Sequence, residues 1–245
     1  MIITAIINRK GGVGKTVTTA NLAYSLTLQG KRVLMVDADS QCNLSRLFRV
    51  PLNARTTIAD IYLNSASTRR AIRKTRYDYL HILPGDERLE ALKDIHESAL
   101  LWALNEVKEE YDICLIDCPP SMQLSTVNIL IAADHVMVPM ELDSFSLSGV
   151  LALDRLIEQC REYNEGIELL GVVITKYRSN RGNNEMIRGM LEQPLFPMME
   201  TVIRYDTKVS HSIRTCKPLM KCASKGKAAM DYLELADEYL GKVGM

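Results

Sequence analysis

The sequence predicts an α/β fold, a mostly parallel twisted sheet with helices on both faces. Three observations carry that reading. Short apolar runs alternate with segments of helical spacing along the chain, as successive βαβ units require. The runs are apolar throughout rather than alternately polar, which fits strands covered on both sides. The first run ends in a glycine-rich turn that opens a helical segment, "KGGVGKT" at Lys10–Thr16.

Taken in order, Ile2–Asn8 is the first strand. Gly14–Gln29 follows with Leu22, Ala23 and Leu26 at helical spacing and Gly30 as its stop. Arg32–Asp37, "RVLMVD", is a second strand ending in acid, and Tyr79–Leu83 a third, closed by Pro84 and Gly85. Leu89–Glu110 reads as one long amphipathic helix. Tyr111–Asp117, "YDICLID", is a strand that again ends in acid and is halted by Pro119 and Pro120. Asp134–Pro139 and Leu169–Thr175 add two strands, with helices over Ser146–Tyr163, Asn184–Leu191 and Lys227–Leu240. No repeat, low-complexity tract or linker interrupts the series, so residues 1–245 are expected to form a single domain.

With 47% hydrophobic and 24% charged residues, the chain can bury a core and is not disordered. Its six cysteines show no C-x-x-C spacing, which argues against a disulfide framework or a metal cluster and for free thiols in a reducing cytoplasm. The opening "MIITAIIN" reads as a strand rather than a leader, and no apolar run approaches the length of a membrane span. The formal net charge is zero, but residues 176–227 hold eleven Lys/Arg against four Asp/Glu, leaving nineteen against twenty-six elsewhere. The chain is therefore electrically polarised.

The glycine turn lies between a strand and a helix, the context that makes a phosphate-binding loop. The usual pattern is G-x-x-x-x-G-K-[ST]. Here its first glycine place is Arg9, and an extra lysine, Lys10, follows. Gly11, Gly12 and Gly14 let the backbone wrap its N–H groups around phosphate oxygens, and the helix N-terminus adds its dipole. Residues Lys10 to Val17, Val13 included, form the expected nucleotide-binding segment on a P-loop NTPase fold. Lys15 is placed for the β- and γ-phosphates, and the Thr16 hydroxyl for Mg²⁺. Asp117, an acid after four apolar residues, supplies a strand-end carboxylate for the same metal. "VDADSQ" sets Asp37 and Asp39 just beyond the second strand, at the edge where open α/β sheets bind ligands. One could orient or deprotonate an attacking water, the other hold the metal's water shell or a lysine; the plainer alternative is a pair of capping acids for the segment after Gln41.

Together "NRKGGVGKTVTTANLA", "VDADSQCNLS" and "LIDCPPS" resemble the ParA/MinD family of deviant Walker A ATPases. "VPMELDSFSLSGV" is similar to the family's switch segment, and the stretch from "TVIRYDTKVSHSIRT" onward resembles the C-terminal pattern of its ParA (Soj-like) partition members. The resemblance gives Lys10 a meaning. It matches the signature lysine that reaches across a dimer to ATP on the other subunit. It implies a Mg²⁺-dependent ATPase, slow without its partner, with Lys10, Lys15 and Asp39 as catalytic residues. Asp39 would position the hydrolytic water, Asp37 would lie near magnesium with Thr16 and Asp117, Thr175 would contact the base, and Asp143 would sit in the switch segment, where relatives often carry Glu. The implied partners are a second copy in an ATP sandwich, non-specific double-stranded DNA and a ParB-like centromere-binding protein, in a cytoplasmic, nucleoid-associated setting. Two departures stand out: Ser40 replaces a frequent proline, and Arg204 and Tyr205 occupy the places of a usual Pro-Arg.

Within the basic region, Lys208, Arg214, Lys217, Lys221, Lys225 and Lys227 are the expected DNA contacts. Lysines and arginines on phosphates give affinity without sequence readout; a merely solvated basic face is the alternative. A MinD-like, membrane- or protein-cargo-positioning ATPase is the rival reading. Against its membrane form, the last helix carries Asp231, Glu234, Asp237 and Glu238, which anionic lipid would repel. No helix-turn-helix segment precedes the loop, so operator binding is not expected.

Overall fold

The structure, a computed structural model, describes residues 1–51, 56–64, 66–93, 95–120, 124–142, 146–192 and 194–245. Seven strands form one sheet: β1 (Ile2–Ile6), β2 (Val33–Asp37), β3 (Arg73–Lys74), β4 (Leu80–Leu83), β5 (Ile113–Asp117), β6 (His135–Met140) and β7 (Glu168–Ile174). Their spatial order is β3-β4-β2-β5-β1-β6-β7. Every neighbouring pair is parallel except β3, a two-residue edge strand antiparallel to β4. The described helices are α1 (Lys15–Leu28), α2 (Asn43–Leu47), α3 (Ile58–Tyr62), α4 (Thr68–Ala71), α5 (Ala99–Asn105), α6 (Leu124–Ala132), α7 (Ser146–Cys160), α8 (Arg181–Glu192), α9 (Lys208–Thr215), α10 (Leu219–Cys222) and α11 (Lys227–Lys242).

The apolar strands divide by parity, because successive side chains leave a strand on opposite faces. Val33 and Met35 of β2 and Ile113 and Leu115 of β5 join α1, α2, α10 and α11 in one core. Leu34, Val36, Cys114 and Ile116 join α3, α5, α6 and α7 in the other. The last helix seals the first core. Its Tyr232 and Tyr239 are fully buried, and each hydroxyl has a partner, Thr18 Oγ1 at 3.2 Å and Thr4 Oγ1 at 2.7 Å. Buried hydroxyls without such partners would cost roughly 1–3 kcal/mol each.

The long helix expected over Leu89–Glu110 is not formed. A 3₁₀ turn over Glu87–Glu90 is capped by Asp86, which accepts from the Arg88 N–H at 2.8 Å. The α-helix itself runs only over Ala99–Asn105. Its start is fixed from outside: Asn128 of α6 accepts the Leu100 N–H at 2.9 Å and donates to the His96 carbonyl. A buried amide on another helix thus takes up backbone groups that a continuous helix would satisfy internally. The edge strand β3 and the short helices α3, α4, α9 and α10 are further elements that apolar periodicity does not announce.

Register positions the site. Asp117 of β5 stands opposite both Ile6 of β1 and Asp37 of β2. The C-terminal ends of the three central strands therefore align, and the glycine loop leaves the sheet beside two carboxylates.

Candidate functional site

The loop between β1 and α1 is shaped by two glycines. Gly12 (φ 79°) and Gly14 (φ 96°) occupy the left-handed region, where a side chain is strained. Gly14 is also the N-cap of α1. Lys10, Gly11 and Gly12 are exposed on the rim, while Val13 is fully buried and seats the loop in the fold. Two anchors hold it. Thr175, just past β7, donates its hydroxyl to the Val13 carbonyl at 2.8 Å. Asn8 donates to the Pro139 carbonyl at 2.8 Å and accepts from the Lys10 N–H at 2.9 Å.

Lys15 is buried (8% exposed) and turns back across the loop. Its Nζ donates to the carbonyls of Asn8 at 3.0 Å and Lys10 at 3.4 Å. Burial pulls its pKa down, and the charges of Asp117 and Asp39 oppose that pull.

Asp117 is buried, and neither carboxylate oxygen has a hydrogen-bond partner. Burial and the neighbouring Asp37 push its pKa well up. The Thr16 hydroxyl is close enough to favour the ionised form without completing a bond. An orphaned buried carboxylate beside a hydroxyl, at the mouth of an N–H-lined turn, is a donor set suited to a hard divalent cation. Mg²⁺ fits it.

Asp37 is engaged differently. Its Oδ2 accepts both the N–H and the hydroxyl of Ser45, each at 2.7 Å, and Oδ1 accepts the Asp39 N–H at 3.4 Å. Burial raises its pKa to about 6. Gly85 closes over it: a Cβ there would lie 2.9 Å from the Asp37 carboxyl carbon and 3.2 Å from the Asp37 carbonyl oxygen. Gly85→Ala should therefore lower stability by about 1–3 kcal/mol in urea unfolding. An unchanged midpoint would mean that Asp37 can shift away freely.

Lys15, Thr16 and Asp39 line a cleft of about 490 Å³, with Asn43 of α2 and Ile213 and Cys216 on its far wall. Asp39 accepts the Gln41 N–H at 2.9 Å. A second recess of about 260 Å³ shares Gly14 and Val17 with the first and is lined by Thr175 and Tyr205. The pair offers an anion cradle at one end and a partly aromatic recess at the other, dimensions suited to a nucleotide.

The structure thus gathers Lys10 to Val17, Asp37, Asp39, Asp117 and Thr175 at one edge of the sheet. Asp143 lies outside the described residues. Lys208, Arg214, Lys217, Lys221, Lys225 and Lys227 are all exposed; they lie on α9, α10 and the start of α11, with Lys217 and Lys225 in the turns between them. At the second departure, Arg204 forks onto buried Asp231 (Nε–Oδ1 2.9 Å), and Tyr205 lies under the Arg178 guanidinium, 3.5 Å from ring centroid to Cζ. Sequence reasoning missed Asn8, Ser45 and Gly85. Only Gly85, at a strand end after proline, left a readable trace.

Comparison with known proteins agrees with this geometry. A family model described as AAA domain matches residues 1–169. The chain is 34% identical to a chromosome partitioning protein ParA from Caulobacter vibrioides, over 98% of this chain and 94% of that one. Among solved structures, it is similar to a cobyrinic acid a,c-diamide synthase from Mycobacterium smegmatis with bound ADP and magnesium (TM-score 0.82, 28% identity, 97% and 93% coverage). It is also similar to the septum site-determining protein MinD from Pyrococcus horikoshii complexed with Mg-ADP (TM-score 0.83, 25% identity, 97% and 95% coverage). The phosphate loop with its extra lysine, the aligned strand-end carboxylates and this nearly full-length similarity have one explanation: the chain belongs to the ParA/MinD family of deviant Walker A ATPases.

Proposed function

We propose that this protein is a partition-type ATPase that dimerises on ATP, binds DNA without sequence preference in that state, and releases it on hydrolysis. The observation that carries the reading is the placing of two lysines on one loop. Lys15 is buried and directed across the turn, whereas Lys10 is exposed on its rim. One cation is set to serve the protomer's own nucleotide and the other to reach a nucleotide held by a second copy.

ATP and Mg²⁺ are the proposed ligands, in keeping with the ADP and magnesium of the similar structures. Thr16 and Asp117 would hold the metal, with Asp37 behind them. When bound, magnesium would supply positive charge that offsets the charge of the phosphates. Lys15 exchanges the carbonyls of Asn8 and Lys10 for phosphate oxygens. Asp39, on the cleft wall, orients the attacking water. Lys10 of the second copy adds positive charge where negative charge develops, as an arginine finger does. A ParB-like partner would speed turnover by acting on the dimer, and the cargo would be chromosomal, plasmid or mobile-element DNA.

Two features favour a DNA output over a membrane one. The six cations of α9–α11 are exposed, and the apolar face of α11 is taken up inside the fold, where Tyr232, Leu235, Ala236 and Tyr239 are buried. No described helix is long and apolar enough to cross a membrane.

The test is duplex binding by the Asp39→Ala protein, with ATP, ADP or no nucleotide. Sequence-blind binding that appears only with ATP and weakens about 10³-fold or more between 50 and 200 mM salt is expected if six phosphates are contacted. An ATP dimer that ignores DNA would move the output to a membrane or a protein cargo.

A further inference from the structure

The turn that ends α9 gathers cations from distant parts of the chain. Arg49, just after α2, donates its Nη2 to the Thr215 carbonyl at 3.2 Å. Arg76, between β3 and β4, donates its Nη2 to the next carbonyl, that of Cys216. Lys217 follows directly, and Lys221 of α10 places its Nζ 5.9 Å from the centroid of Tyr24. Tyr24 packs edge-on against Tyr77 at 5.0 Å, and Arg76 lies over that same Tyr77 ring at 5.1 Å. All four cations are exposed. None forms an ion pair with a carboxylate among the described residues.

A helix C-terminus attracts cations, so one arginine here is an ordinary cap. Two guanidiniums on consecutive carbonyls exceed that need. They repel each other, and of the five N–H donors on each, Arg49 spends one on its carbonyl and Arg76 two, its Nε also donating to the Tyr77 hydroxyl at 3.0 Å. Arg49 (φ 57°) and Cys216 (φ 52°) each take the left-handed conformation in which helices commonly end, α2 and α9 respectively. A phosphate group set against the turn would relieve the repulsion and take up the outward donors in the fork geometry that guanidinium favours.

We propose that Arg49 and Arg76 join Lys217 and Lys221 as a second phosphate-contacting arm of the DNA face, one that no C-terminal residue alone could form. The proposal rests on the DNA-binding reading given above and extends it to the β3 side of the molecule. It also gives the face a link to the nucleotide. Cys216 and Ile213 line the phosphate cleft, and Arg49 continues from α2, whose Asn43, Arg46 and Leu47 line it too. The same turn therefore contributes to the cleft wall and accepts both arginines.

The experiment measures binding of an unrelated-sequence duplex across a salt series, with a non-hydrolysable ATP analogue, for the wild type and for Arg49→Ala plus Arg76→Ala. Removing two phosphate-neutralising cations should flatten the slope of log affinity against log salt by about 1.8, and affinity at 0.1 M salt should fall by about tenfold or more. Arg76→Lys should keep most of the slope. Thermal unfolding of each variant identifies any loss of fold, and Arg49→Lys plus Arg76→Lys then serves as the folded comparison. Weaker binding with an unchanged slope would reduce the two arginines to caps of α9 and overturn the proposal, as would unchanged binding. Wild type that binds no duplex would overturn the DNA reading itself. Loss of binding to anionic vesicles, with duplex binding intact, would overturn the proposal by assigning the arm to a lipid surface instead.

Discussion

Lys15→Ala is expected to weaken nucleotide binding severely, and with it every property that depends on the nucleotide. The side chain is the buried cation of the loop, and a charged donor to phosphate is worth roughly 1.5–3 kcal/mol per bond, so affinity for an ATP analogue should fall on the order of 10²–10³-fold. Titration calorimetry reads it directly. The substitution also leaves the Asn8 and Lys10 carbonyls without their donor, so a loss of affinity could come from a collapsed loop. Lys15→Gln separates the two causes: it can still donate to the Asn8 carbonyl yet carries no charge. If Lys15→Gln binds ATP normally, the lysine holds the loop and does not serve the phosphates.

Lys10→Ala is expected to keep nucleotide binding by the single protomer and to lose the proposed ATP-dependent dimer. Turnover should drop on the order of 10³-fold or more, the scale of a missing arginine finger. The substitution removes an exposed side chain, while the backbone N–H that Asn8 accepts remains. The loop should therefore survive, and the effect should appear in mass by light scattering before it appears in affinity. A stable ATP dimer in this variant would sink the cross-subunit role.

Much of this architecture could be read from the chain because its strands are buried on both faces. Runs such as "VLMVD" and "ICLID" have no exposed side on which polar residues could blur the signal, and the strand-end acids follow directly. The phosphate loop was legible for a different reason. Its turn is written in local backbone chemistry at Gly12 and Gly14, and the distant anchors Thr175 and Pro139 hold it in place without being needed to read it. What failed to show in the sequence is contributed across space. Asn128 decides where α5 begins, although it is 28 positions away from Leu100. Ser45 and Gly85 enclose Asp37 from two separate segments. Arg49, and Arg76 at the end of its own basic run "RRAIRKTR", lie far from the C-terminal basic stretch in the chain and meet it only once the fold has brought them together. Arg204 shows the reverse case: counted among the basic residues, it is bound to Asp231.

The two anchors of the glycine loop have a consequence for how the molecule moves. Asn8 and Thr175 tie the loop to the ends of β6 and β7 through bonds that are buried. Opening the loop would mean breaking buried bonds where β6 and the edge strand β7 end, and buried contacts of that kind resist local opening. The nucleotide mouth is then a fixed socket rather than a lid. In the proposed cycle, the work would fall on what docks against the socket from outside, and the energy of ATP would go into assembly rather than into reshaping the pocket that holds it.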